Sequence, residues 1–305
     1  MVQLMVPPLQ VFDDYDSLEN GYSREFIASS LLTPTSKGAC ASSKAHDLWV
    51  LCKLTRPSKS EFQLCSEDGD FMLCAKRVGE CYYISTYEYF PTNVDERALA
   101  ALVKAGDVPR GVVAVLAPRQ HARTGAATFA LRLVSAGDAR SSAAATPTAP
   151  HVEVTPSAIW CAEQNAELRR LSISLPAPDV DAGAHYAHDW RQKPPAPPNA
   201  RRIGLTNKLP TWNRNLGCLS LHFGRKRVRT SSSKNFLVYT DEVLNDKTRR
   251  EDADNAVFQL GKLAAKTFAL DFRYPINPLQ AFAVALTAFQ VKHTKVPRAR
   301  RASSG

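Results

Sequence analysis

Residues 277–291 read NPLQAFAVALTAFQV, and this stretch decides the fold. Asn277 suits a helix N-cap, and Pro278 suits the first helical position, where a missing N–H costs nothing. Lys292, His293 and Lys295 follow at the end where a helix dipole favours cations. From Leu279 to Val291 only Gln280, Thr287 and Gln290 are polar, so the predicted helix is apolar nearly all round and must be enclosed on every side. It is shorter than the roughly 20 residues that span a bilayer. What encloses it has to come from the same chain.

Working outward, the rest of the chain reads as short β-rich runs closed by turns. Candidate strands are 48–55, 61–66, 71–76, 81–87, 111–117, 128–135, 152–155, 169–175, 216–223, 235–240, 256–263 and 267–273. About a dozen short strands at this spacing suggest a sandwich or a barrel rather than βαβ units. Cys218–Phe223 alternates, with Leu219, Leu221 and Phe223 on one face. A sandwich would leave one flank of the 277–291 helix exposed, so the expected fold is mainly β, a closed barrel around a central hydrophobic C-terminal helix. A second, shorter helix is expected over 94–104. Trp49, Trp160 and Trp212 are expected to pack in the barrel.

The 305 residues carry 44% hydrophobic side chains, enough for a sizeable core. Ala, Pro, Ser and Asp crowd residues 1–45, 136–150 and 176–200. The expected organisation is an acidic N-terminal segment 1–45, one domain over 46–293 with variable loops at 136–150 and 176–200, and a basic tail 294–305. The first residues lack a basic region followed by an apolar stretch, so an unsecreted protein is expected. Seven cysteines without CxxC spacing suit a reducing compartment, where cysteine is a small core residue.

The formal charge of +10 is uneven. Between Arg201 and Phe236 nine Lys and Arg occur without one Asp or Glu, whereas the first 30 residues carry five acids against Arg24. Such a basic stretch attracts anionic lipid headgroups or nucleic acid. No GxSxG, Walker or HExxH pattern occurs, and the histidines are scattered, so no enzyme, cofactor or metal is expected. His185, His188 and Asp189 have metal-like spacing but fall in a Pro/Ala-rich run without partner cysteines, which argues against a site.

Six separated motifs carry a resemblance. They are Lys208–Asn213 (KLPTWN), His222–Arg225 (HFGR), Lys234–Phe236 (KNF), Phe258–Lys262 (FQLGK), Asp271–Pro275 (DFRYP) and Leu279–Ala283 (LQAFA). In order, spacing and chemistry the region 205–293 resembles the C-terminal domain of the tubby-like proteins. Phe71–Arg77 followed by Tyr82–Ser85 resembles the family's strand, basic turn and strand, while 118–200 matches poorly. The resemblance implies a closed barrel of about twelve strands threaded by the C-terminal helix, and binding of phosphatidylinositol 4,5-bisphosphate in a basic pocket on the barrel wall. It further implies an adaptor at the inner face of the plasma membrane, with delivery of a membrane-protein cargo to cilia as an animal role and an F-box in many plant members. No F-box pattern is legible here.

Carried over from that resemblance, Lys76 and Arg77 before the turn at Gly79 are the main headgroup cations. Where the family continues with further cations, this chain has Val78, Gly79 and Glu80. Lys104 takes the place of the family's Arg in its Leu-Arg-Ser-Asn stretch, with Arg110 nearby, and Arg227 takes the family arginine position once one residue is inserted. Arg225 and Arg229 would flank Arg227 on one face if that run were a strand, although a charged edge strand explains such a run equally well. The expected protein is a monomer that binds a phosphoinositide, with a protein cargo as further partner. The alternative is a nucleic-acid-associated transcription regulator in the nucleus.

Overall fold

The computed structural model describes residues 49–88, 111–120, 127–134, 150–162, 166–177, 201–215, 218–224, 227–228, 230–245 and 253–290. Four strands form antiparallel neighbours at the start: β1 (Val50–Thr55), β2 (Glu61–Ser66), β3 (Phe71–Val78) and β4 (Cys81–Ser85). β5 (Val112–Gln120), β6 (Ala127–Leu133), β7 (Val152–Cys161) and β8 (Ala166–Pro176) continue the wall. After β9 (Arg202–Asn207), the short strands β10 (Thr211–Asn213) and β11 (Cys218–Ser220) pair only with each other. β12 (Phe236–Thr240), β13 (Phe258–Ala264) and β14 (Thr267–Phe272) return to the wall, and β14 pairs with β1 along its whole length. That last pairing closes a barrel of twelve strands in the order β1-β14-β13-β12-β9-β8-β7-β6-β5-β4-β3-β2.

The helix α2 (Pro278–Gln290), which follows the one-turn helix α1 (Asp241–Asn245), fills this barrel. Every residue from Pro278 to Ala288 is buried. Its start is a reciprocal cap: Gln280 N donates to Asn277 Oδ1 (2.8 Å) and Asn277 N donates to Gln280 Oε1 (3.0 Å). Two amide donors that burial would otherwise orphan are thereby satisfied. Phe282, Val284 and Leu286 lie in one cluster with inward residues from the wall, including Leu54, Leu73 and Phe236. No helix among the described residues is long and apolar enough to cross a membrane.

Two expectations need correction. Among the described residues of the segment 216–223, namely 218–223, none joins the barrel; Cys218–Ser220 is extended in the side ribbon with β10. Phe223 packs instead on the outside of the wall, beside Leu237 and Tyr239. The wall strand that takes the place is β9, where Arg202 sits at the rim and is neutralised by Ser174 Oγ (2.7 Å), the Pro150 carbonyl (3.1 Å) and Glu153 (3.9 Å). The three expected tryptophans are outside the barrel interior: Trp160 is 60% exposed, Trp212 lies on the side ribbon, and Trp49 packs on the outer cluster of Leu237 and Tyr239, 5.2 Å from the Arg273 guanidinium. Cys52 and Cys74 are buried free thiols, as expected of core residues, and burial pushes Cys74 up to about 12. The expected helix over 94–104 and the acidic and basic ends lie outside the described residues.

Candidate functional site

The β3–β4 hairpin carries the first two predicted cations. Val78 pairs with Cys81, leaving Gly79 and Glu80 as a two-residue loop, and Gly79 has φ +58°, which a side chain would oppose. Successive strand residues face opposite sides of the wall, and β3 obeys this rule at its end. Lys76 is opposite Tyr83, on the outer side with Cys74 and Val112. Arg77 is opposite Tyr82, whose ring belongs to the core. Neighbours in sequence, the two cations are therefore presented to different faces.

The Lys76 side chain is only 12% exposed, with Nζ 3.8 Å from Glu61 Oε1 on β2. At that distance the carboxylate holds the ammonium loosely, and a phosphate could compete for it. Arg77 donates from Nε to the Gly79 carbonyl (3.0 Å), which steadies the hairpin and leaves its terminal nitrogens for other partners.

Arg227 has a different occupation. Its guanidinium pairs with both Asp271 and Glu67 and donates to the Cys52 carbonyl (3.3 Å). Asp271 is fully buried on the outer side of β14 and also accepts hydrogen bonds from Gln259 Nε2 and from Cys52 N (3.4 Å). Burial raises the Asp271 carboxyl above its usual range, and Arg227 and these hydrogen bonds act against the rise. Residues 227–228 are irregular rather than a strand, and Val228 sits so close to Gly261 that a Cβ there would collide with it. Glu61 opens β2 and Glu67 follows its end, so Arg227 and Lys76 are separated by about 20 Å at roughly 3.3 Å per residue. The structure does not bring Arg227 to the hairpin cations. Lys104, Arg110, Arg225 and Arg229 lie outside the described residues.

Sequence reasoning missed a second set of cations. Arg56, Arg169 and Lys234 each stand two residues beyond an inward apolar residue, namely Leu54, Leu171 and Phe236. Strand parity was the signal that could have found Arg169, which lies within β8, while Arg56 and Lys234 stand just outside β1 and β12 and are placed at the barrel end where α2 terminates by their contacts with Phe289 and Ala288. Lys234 Nζ donates to the Ala288 carbonyl at 2.6 Å, and an Arg169 terminal nitrogen donates to the same oxygen at 3.4 Å. Burial, then the charges of Arg169 and Arg56, push Lys234 down to about 8.

A closed antiparallel barrel of twelve strands plugged by a buried C-terminal helix, with cations on its wall and at one mouth, defines the class of helix-filled β-barrels. Residues 118–291, more than half of the chain, match the family model described as the Tub family, and the chain belongs to that family. Among similar curated proteins, "Tubby-like F-box protein 6" of Oryza sativa subsp. japonica is 42% identical over 92 residues, 30% of this chain and 22% of that protein. "Tubby-related protein 1" of Mus musculus is 41% identical over 90 residues, 30% of this chain and 15% of that protein. "Tubby-like F-box protein 6" of Arabidopsis thaliana is 37% identical over 91 residues, 29% of this chain and 22% of that protein. The matched region thus spans about a fifth of these relatives or less.

Proposed function

We propose that this chain is a non-catalytic membrane-recruitment protein that binds a phosphoinositide of the phosphatidylinositol 4,5-bisphosphate class through the β3–β4 end of its barrel wall. The observation that carries the reading is Lys76: a largely sheltered ammonium on the outer wall, only loosely held by Glu61, at the hairpin position that family resemblance associates with headgroup binding. Lys76 supplies a point charge to one phosphate from the wall, and Arg77 offers a fork that can grip phosphate oxygens in pairs once it swings past the hairpin. Lys104 and Arg110, outside the described residues, are the further headgroup cations that the family resemblance implies. Arg227 acts as a brace that holds β14 to β2 rather than as a ligand.

Bound in this way, the protein would sit at the cytoplasmic face of the plasma membrane and carry a protein cargo there, ciliary membrane proteins included. The experiment is a series of vesicles, each with one phosphoinositide, offered to wild type and to Lys76→Ala/Arg77→Ala. Two charged hydrogen bonds at about 1.5–3 kcal/mol each predict a loss on the order of a hundredfold or more. The nine cations of 201–236 favour nucleic acid as the second reading. It predicts binding that falls linearly on a log-log salt plot and is indifferent to headgroup isomer.

A further inference from the structure

Among the described residues, the barrel end at which α2 terminates gathers several cations, with Glu80 on the β3–β4 hairpin and Glu167 near the start of β8 as the carboxylates of this end. β1 and β9 run toward this end, while β2, β8, β12 and β14 start from it, as the pairs Thr55 with Thr267 and Ser172 with Thr206 require. Arg56, Arg169 and Lys234 therefore converge from three parts of the wall. The Arg56 guanidinium lies 5.3 Å from the Phe62 ring centre and 5.5 Å from that of Phe289; Lys234 Nζ lies 5.8 Å from the same Phe289 ring. Arg169 lies 5.3 Å from the Phe236 ring. Arg77 adds a fourth charge from the hairpin.

Among the described residues, no carboxylate forms an ion pair with any of these four. The C-terminal end of α2 offers about half a negative charge, and the Ala288 carbonyl already accepts from Lys234 and Arg169. Capping α2 needs one cation at most. Among the described residues of this end, two buried donors have no hydrogen-bond partner: the Arg56 Nε and the hydroxyl of Tyr82, a residue with no exposed surface. Burial pushes that hydroxyl up to about 12, with Arg77 and Arg56 opposing the rise, which sets it in the field of both guanidinia. Unfilled buried donors and clustered like charges are each costly, and an anion removes both costs at once.

We propose that this mouth is an anion site distinct from the outer face of Lys76, taking one compact phosphoryl dianion held by Arg56, Arg169 and Lys234, with the Tyr82 hydroxyl as a neutral donor. Guanidinium forks and an ammonium suit the several oxygens of a phosphoryl group, and the Phe62, Phe236 and Phe289 rings strengthen each contact by excluding water. The phosphoryl group can come from a lipid headgroup or from a free phosphate ester.

The test titrates the full chain with inorganic phosphate by calorimetry, at ionic strength held constant with chloride. Saturable binding is expected, weakened about tenfold or more by Arg169→Gln and by Arg56→Gln, the loss of one charged hydrogen bond. Tyr82→Phe, which keeps the ring in the core, is expected to weaken it roughly fivefold without altering the fold. Lys76→Ala is the contrast: a phosphate titration weakened by Lys76→Ala as much as by Arg169→Gln would assign the anion to the wall and overturn the mouth site, whereas a loss confined to Arg56→Gln and Arg169→Gln supports it whatever the fate of the wall site. If Arg169→Gln also weakens vesicle binding, the source is a lipid headgroup; if only soluble phosphate is affected, it is a free ester. A non-saturable response, or equal affinity in wild type, Arg56→Gln and Tyr82→Phe, overturns the proposal.

Discussion

Replacing Arg227 with Met separates a brace from a ligand. Asp271 is fully buried, and with Arg227 gone its carboxylate keeps only the Gln259 amide and the long Cys52 amide as donors. Removing one partner of a buried ion pair costs about 3–5 kcal/mol, chiefly because the remaining charge is stranded. In a domain of this size each kcal/mol lowers Tm by roughly 2–4 °C, so a fall of about 10 °C is expected. The sign of the pH dependence follows from Asp271. Its folded pKa is already raised, and without Arg227 it rises further, so the variant loses stability as pH rises through that value and regains it as pH falls and the carboxyl takes a proton. Thermal unfolding at pH 7 and pH 5 should therefore show a smaller deficit at the lower pH, and Asp271→Asn in the same background should recover much of the loss. A Tm within about 2 °C of wild type at pH 7, together with collapsed vesicle binding, would refute the assignment and make Arg227 a headgroup ligand.

Two further outcomes test the fold. Phe282→Asp places a charge in the fully enclosed face of α2 and should yield insoluble or non-cooperatively folding protein in an expression and melting screen, whereas soluble two-state unfolding would contradict the plugged barrel. His151 is pushed below its ordinary pKa by burial and then by Arg202, so its contribution to stability is full above about pH 6.5 and is lost as pH falls toward its folded value. Denaturant titrations between pH 7 and pH 5 should show that loss in wild type and less of it in His151→Gln; parallel curves would remove His151 as a cause.

The helix was legible because a segment apolar on all sides has a single solution in water, and its Asn277–Gln280 cap is written within four residues. β2 was legible to the residue, since Phe62 and Leu64 alternate with Glu61 and Gln63. β9 was not, because Arg202 and Gly204 interrupt the apolar pattern and the arginine is neutralised only by the remote Glu153, Ser174 and Pro150. The 216–223 segment alternates as a wall strand would, yet alternation reports one buried face and not which surface buries it. At the site, parity alone separates Lys76 from Arg77, and it was overlooked because the two adjoin in sequence. The ion pair of Arg227 was not legible for a deeper reason: its partner Asp271 is 44 residues away, and the register of β14 against β1 and β13 brings the carboxylate to it. The mouth cations follow the same logic, being scattered along the chain and gathered by closure of the barrel.

The most direct measurement is co-sedimentation of the full chain with vesicles carrying single phosphoinositide isomers, at physiological salt, for wild type and Lys76→Ala/Arg77→Ala. Wild type is predicted to prefer a bisphosphorylated headgroup over phosphatidylserine of equal charge density, and the double variant to lose on the order of a hundredfold in affinity with Tm unchanged. Equal binding to all anionic vesicles, undiminished in the variant, would contradict a headgroup site on the β3–β4 wall and leave only a basic surface.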